Sequence, residues 1–216
     1  MPLKSANLAL VRQCMRELPL VAILRGLRPA EAADIGAALV KAGFRLIEVP
    51  LNSPDPLESI RILADGFGDE AVIGAGTVLD PADAGRIADA GGRLAVMPCF
   101  DPEVVAASNL RGLVTAPGVA TPGEAFAALR AHADILKIFP AEGLPPEVVK
   151  AWRAVLPASV DLLPVGGITP ERMEPYVRCG ASGFGLGSAL YKAGMSATEV
   201  GGRARAFVEA WRGIRP

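Results

Sequence analysis

The chain has 216 residues, 51% of them hydrophobic, with 24 glycines and a formal net charge of −1. That is the size and composition of one domain with a sizeable core. Near-neutral charge gives no electrostatic basis for nucleic acid or an anionic membrane as a partner, and no run of about 18 apolar residues marks a membrane span.

The N-terminal stretch MPLKSANLALVRQCMREL is too charged for a signal peptide, and Leu8, Val11, Met15 and Leu18 fall at the spacing of an amphipathic helix. Beyond it, short apolar runs alternate with helical stretches. The expected strands are 20–25, 46–49, 71–75, 94–97, 113–116, 135–139, 162–165 and 183–186. Helix starts are marked by prolines with acids close behind, at Pro29, Pro54, Pro81, Pro102, Pro122, Pro145 and Pro170. Glycines Gly43, Gly91, Gly92 and Gly180 mark helix ends before the next strand. Eight strand–helix units without a linker or low-complexity tract predict a single α/β domain over residues 1–216. The expected fold is a (β/α)8 TIM barrel with an N-terminal helix, with an open doubly wound sheet as the alternative. Cys14, Cys99 and Cys179 make neither a disulfide framework nor a zinc pattern, so a reducing cytoplasm is the expected location.

In such a barrel the functional groups sit at the C-terminal ends of the strands. Arg25, Glu48, Thr77, Pro98, Lys137, Phe139, the Gly166-Gly167 pair and Gly187-Ser188 all fall there. Lys137, in DILKIFPAE, is the most telling. An ammonium ion in an apolar strand costs several kcal/mol unless it is paired or loses its proton. A desolvated, neutral amine can attack a ketone to form a Schiff base; the competing role is a strand-end lysine whose head reaches solvent. Glu48, in RLIEVPLNSP, suits a general acid–base with a raised pKa, or a structural ion pair with Arg25 or Lys137. Arg25 could hold a carboxylate, and Thr77 could donate to the same anion or cap a helix. The glycine loops PVGGITPE and GFGLGSAL, after the last two strands, suit a phosphate bound by backbone amides.

The remaining candidates are weaker. His132 is expected at a helix C-terminus, interacting with the dipole. Trp152 and Trp211 are expected in helix packing, and Cys99 lacks a histidine to activate it. One histidine and scattered carboxylates assemble no metal site by spacing. Two other functions fit these residues: an isomerase or epimerase using Glu48 as a base, and a non-catalytic barrel that binds a phosphorylated acid.

The motifs AILRG, IEVPLNSP, IGAGTVLDP, APGVATPGEAF, LKIFPAE, PVGGITPE and GFGLGSALY run from about Leu18 to Met195. In order and spacing they resemble the class I aldolases that cleave 2-dehydro-3-deoxy-6-phosphosugar acids, the KDPG/KDPGal aldolase family. The resemblance implies a homotrimeric lyase that needs no metal or organic cofactor. It acts on a phosphorylated 2-oxo acid and releases pyruvate and glyceraldehyde 3-phosphate. It implies Lys137 as the Schiff-base lysine, Glu48 as the proton shuttle, and Arg25 and Thr77 on the carboxylate. Pro98 and Phe139 would be apolar walls, and Gly166, Gly167, Gly187 and Ser188 would hold the phosphate. Gluconate-type members commonly carry an arginine after the second strand and a threonine before the double glycine. Here Asn52 and Val165 stand in those places, a pattern resembling the galactonate-type branch, with the gluconate-type activity and cleavage of 4-hydroxy-2-oxoglutarate as the alternative.

Overall fold

The computed structural model describes residues 2–214; the outermost residues of the expected 1–216 domain lie outside that range. The elements run α1 (Pro2–Glu17), β1 (Leu20–Ile23), α2 (Pro29–Ala42), β2 (Leu46–Pro50), α3 (Pro56–Phe67), β3 (Val72–Gly76), α4 (Asp83–Asp89) and β4 (Leu94–Val96). They continue with α5 (Pro102–Leu110), β5 (Val114–Ala116), β6 (Gly118–Val119), α6 (Pro122–Arg130), β7 (Ile135–Ile138) and a 3-10 turn (Ala141–Gly143). The last five are α7 (Pro146–Arg153), β8 (Asp161–Pro164), α8 (Pro170–Arg178), β9 (Phe184–Leu186) and α9 (Ala197–Ile214).

The fold is α/β with a curled parallel sheet. One ladder has the order β5-β4-β3-β2-β1-β9 and a second has β6-β7-β8. The expected fifth strand, 113–116, is β5, and β6 is a further short segment just beyond it. Pro117, between β5 and β6, has no N–H to give the ladder, although its carbonyl still accepts from the Lys137 N–H at 3.0 Å. At the other junction, β8 and β9 are linked by a single parallel bridge, Val165 to Gly185.

Strand alternation sorts the side chains into two layers. On β2, Ile47 and Val49 face outward into the core shared with the helices, where Ile35, Leu39 and Leu63 meet them. Leu46 faces inward and joins Val21, Val72, Leu94, Val114, Ile135 and Leu163 in a second, inner cluster. Val11, Cys14 and Met15 of α1 belong to that inner cluster, so the N-terminal helix seals the end where the strands begin. This is the amphipathic face expected from its spacing.

Four of the marked prolines lie within the expected helix starts. Pro102, Pro122 and Pro170 open α5, α6 and α8, and Pro29 opens α2. Asp101 caps α5 by accepting from the N–H groups of Glu103 and Val104, and Thr121 with Glu124 forms a capping box on α6. Two starts shift. Pro54 does not open α3: Asp55, the N-cap, stands in the left-handed region at φ 42, and the helix begins at Pro56. Pro81 lies in a turn held by Asp80 Oδ1, which accepts from the Ala82 N–H at 2.9 Å, and α4 begins at Asp83. His132 lies just past α6. It takes the left-handed position (φ 62) of a C-terminal cap in which its N–H bonds Leu129 O and the Ala133 N–H bonds Ala128 O. Trp152 and Trp211 are buried in helix packing, as expected.

Candidate active site

The inward register that puts Leu46 and Ile135 in the inner cluster places Glu48 and Lys137 one layer above them, at the C-terminal ends of β2 and β7. Both are buried, Glu48 at 2% and Lys137 at 6% exposure. Desolvation disfavours the charged form of each. It pushes the Glu48 carboxyl up to about 7 against the pull of Lys137 and Arg25. It lowers the Lys137 amine, helped by Arg25 and opposed by Glu48 and by the exposed Cys99. Lys137 Nζ stands 4.6 Å from the centre of the Phe139 ring, which forms an apolar wall beside it. Glu48 Oε2 is buried with no hydrogen-bond partner. No ion pair joins the two residues among those described, so neither the structural salt bridge nor the solvent-reaching lysine describes this pair.

The Glu48 carboxyl has a seat. A Cβ on Gly76, at the end of β3, would stand 2.6 Å from Glu48 Oε1, 2.7 Å from Cδ and 2.8 Å from Oε2. Only a residue without a side chain leaves that space, and Gly76 has no positive φ to account for it otherwise. Gly76 was not singled out from the sequence, since a strand-end glycine reads equally well as a turn residue.

Arg25 extends beyond β1. Its Nη1 donates to Asn52 Oδ1 at 2.7 Å and its Nη2 to Thr77 Oγ1 at 3.4 Å. Thr77 caps no helix; it occupies the left-handed region at φ 56, which a β-branched residue adopts only under constraint. Gly166 (φ 114) and Gly167 (φ 60) form two consecutive left-handed positions after β8, a backbone path only glycine follows cheaply.

These groups share one cleft of ≈ 440 Å³. Arg25, Glu48, Lys137, Phe139, Val165, Gly166, Gly167, Gly187 and Ser188 all line it. Thr77 reaches it only through Arg25. Pro98 does not line it; its carbonyl packs against Gly118, where a Cβ would come within 2.2 Å of the oxygen. Glu142 and Lys192 line the cleft without having been marked. Glu142 closes the FPAE motif already noted, and Lys192 follows GSALY, so distance along the chain from those motifs was the available signal. Among the described residues no cluster of His, Cys, Asp and Glu could hold a metal, and no helix is long and apolar enough to cross a membrane.

The arrangement is a buried amine and a buried carboxyl lining one cleft, each pushed by desolvation toward its uncharged form, together with the Arg25 cation and a glycine turn. Such a pair can form and hydrolyse an imine. The chain matches the profile of the KDPG and KHG aldolases over residues 11–207. It is 48% identical to the probable 2-dehydro-3-deoxy-6-phosphogalactonate aldolase of Rhizobium meliloti (strain 1021), covering 92% of this chain and 93% of that one. It is 45% identical to the 2-dehydro-3-deoxy-6-phosphogalactonate aldolase of Escherichia coli (strain K12), covering 93% and 98%. The solved structure described as native KDPGal superposes with a TM-score of 0.90 at 45% identity, covering 92% of this chain and 96% of that one. In sequence and fold the chain belongs to the KDPG and KHG aldolase family.

Proposed function

We propose that the protein cleaves 2-dehydro-3-deoxy-6-phosphogalactonate to pyruvate and D-glyceraldehyde 3-phosphate by way of a Schiff base on Lys137. The observation that carries this is the buried pair: an amine whose pKa is lowered beside a carboxyl pushed up to about 7. A general acid–base with a pKa near the working pH can serve in both directions within one turnover.

The neutral Lys137 amine attacks the C2 ketone. Protonated Glu48 gives its proton to the carbinolamine hydroxyl, and water leaves to form the iminium. The Glu48 carboxylate then takes the C4 hydroxyl proton, directly or through water. The C3–C4 electron pair flows into the iminium, and glyceraldehyde 3-phosphate departs. Glu48 returns the proton to C3 of the enamine; water then hydrolyses the iminium to pyruvate, and the proton released passes to Glu48, restoring the neutral Lys137 amine and the protonated carboxyl. The iminium is the electron sink, so the chemistry calls for no metal or organic cofactor. Arg25, with Thr77 behind it, binds the C1 carboxylate. Gly166, Gly167, Gly187 and Ser188 hold the phosphate, orienting the chain at a distance from the breaking bond. Phe139 walls the imine.

The same reading takes the two ladder segments as one closed (β/α)8 barrel with β5 and β6 as a single broken strand, and the active molecule as a homotrimer. The apolar Val165 beside the glycine pair supports modest selectivity at C4, with residual activity on the gluconate epimer, since an apolar wall discriminates weakly between isomers. Borohydride with pyruvate is expected to label Lys137 covalently, and side-by-side assays of pyruvate release are expected to favour the galactonate epimer. Undiminished turnover in Lys137→Ala would overturn the mechanism.

A further inference from the structure

We propose that Asn52, in the turn after β2, is a positioning residue that aims the Arg25 guanidinium at the substrate carboxylate without neutralising it. The inference rests on the assignment of Arg25 to that carboxylate.

The turn 51–53 ties together the ends of three strands. The Leu51 N–H donates to Gly76 O at 2.8 Å, fixing it to the end of β3. Ser53, buried at 8% exposure, turns its own N–H back to Pro50 O at 2.9 Å and accepts from the Gly26 N–H at 2.9 Å. That last bond pins the residue directly after Arg25, in a turn where Gly26 has φ 84. From the same platform Asn52 Oδ1 takes one guanidinium N–H at 2.7 Å, while Thr77 takes another at 3.4 Å. The backbone of the Arg25–Gly26 step and the head of its side chain are thus held by adjacent residues of one turn.

The chemical nature of the partners matters as much as their geometry. Guanidinium has five N–H groups in a rigid fork, and among the described residues two are engaged, by an amide and a hydroxyl. No carboxylate pairs with Arg25 among the described residues. An acidic partner would hold the arginine equally well, yet it would cancel the charge that an incoming carboxylate needs. Neutral acceptors orient the fork and leave its charge available.

The test compares half-saturation in borohydride trapping for pyruvate and for acetone, a ketone with no carboxylate, in wild type, Arg25→Ala, Asn52→Ala and Asn52→Asp. Losing one charge-assisted hydrogen bond is expected to raise the pyruvate half-saturation about tenfold in Asn52→Ala. Acetone half-saturation should stay within about twofold. Asn52→Asp, which keeps an acceptor but adds a charge, is expected to weaken pyruvate binding at least as much. Pyruvate half-saturation unchanged in Arg25→Ala would remove the carboxylate assignment itself. A clear effect in Arg25→Ala with none in Asn52→Ala would overturn the positioning role alone. Wild-type behaviour in Asn52→Asp would overturn the requirement for a neutral partner, and an equal loss for acetone would show a merely structural role.

Discussion

Replacing Gly76 with alanine tests whether the seat of Glu48 matters to the chemistry. The new Cβ would lie 2.6 Å from Glu48 Oε1, whereas ordinary van der Waals contact begins at 3.4 Å, so the carboxyl must retreat by about 0.8 Å. Its surroundings are the buried ends of β2 and β3, so it cannot retreat into solvent and keep the same pKa. Misplacing a catalytic group by about 1 Å costs on the order of a hundredfold in rate, which corresponds to about 2.7 kcal/mol of transition-state stabilisation. Arg25, Lys137 and the glycine turn are untouched, so KM should change little. The measurement is coupled pyruvate release from the galactonate substrate across pH 5–9, with thermal unfolding to show that the variant is folded. A folded Gly76→Ala enzyme with kcat within twofold of wild type and an unmoved pH profile would refute the argument.

Three further outcomes are expected. Glu48 gives up its proton near 4.5 in the unfolded chain and near 7 in the fold, so its contribution to stability is full below pH 4.5 and declines as pH rises through 7. Relative to Glu48→Gln, the wild type should lose about 3 kcal/mol of unfolding free energy across that window, measured by urea denaturation at fixed pH values; parallel curves would contradict the burial argument. Val165→Thr replaces an apolar wall by a hydroxyl of the same shape, and the ratio of kcat/KM values should move toward the gluconate epimer by about tenfold. Lys192→Ala should raise KM for the phosphorylated substrate several-fold, less so at high salt, while leaving borohydride trapping by pyruvate unchanged.

Much of this was legible in the sequence for a physical reason. A parallel strand covered on both faces must be apolar along its length, so residues 46–49 and 135–139 announced themselves, and a charge inside such a run marked Glu48 and Lys137. The strand ends came out within about two residues: 20–25 became Leu20–Ile23, and 71–75 became Val72–Gly76. What was not legible depended on neighbours far along the chain. The break at Pro117 follows from which strand edge its missing N–H faces. The space above Gly76 exists only because β2 lies beside β3 in the register Pro50 to Gly76. The roles of Asn52 and Ser53 arise because their turn reaches across to β1, a contact 27 residues away in sequence. Pro98 shows the converse: a strand-end position alone did not bring its ring to the cleft.

The inner cluster has a consequence beyond holding the strands together. Leu46 and Ile135 stand two residues below Glu48 and Lys137 on the same strands, with Leu94 and Leu163 beside them and α1 closing the space underneath. That layer acts as an electrical insulator. It screens the amine and the carboxyl from water on one side and leaves the mouth of the cleft as the side from which solvent and substrate arrive. The reactivity of the pair is therefore set partly by residues that never meet the substrate. A polar side chain admitted to that floor would retune the chemistry from beneath, by easing the desolvation that shifts both groups.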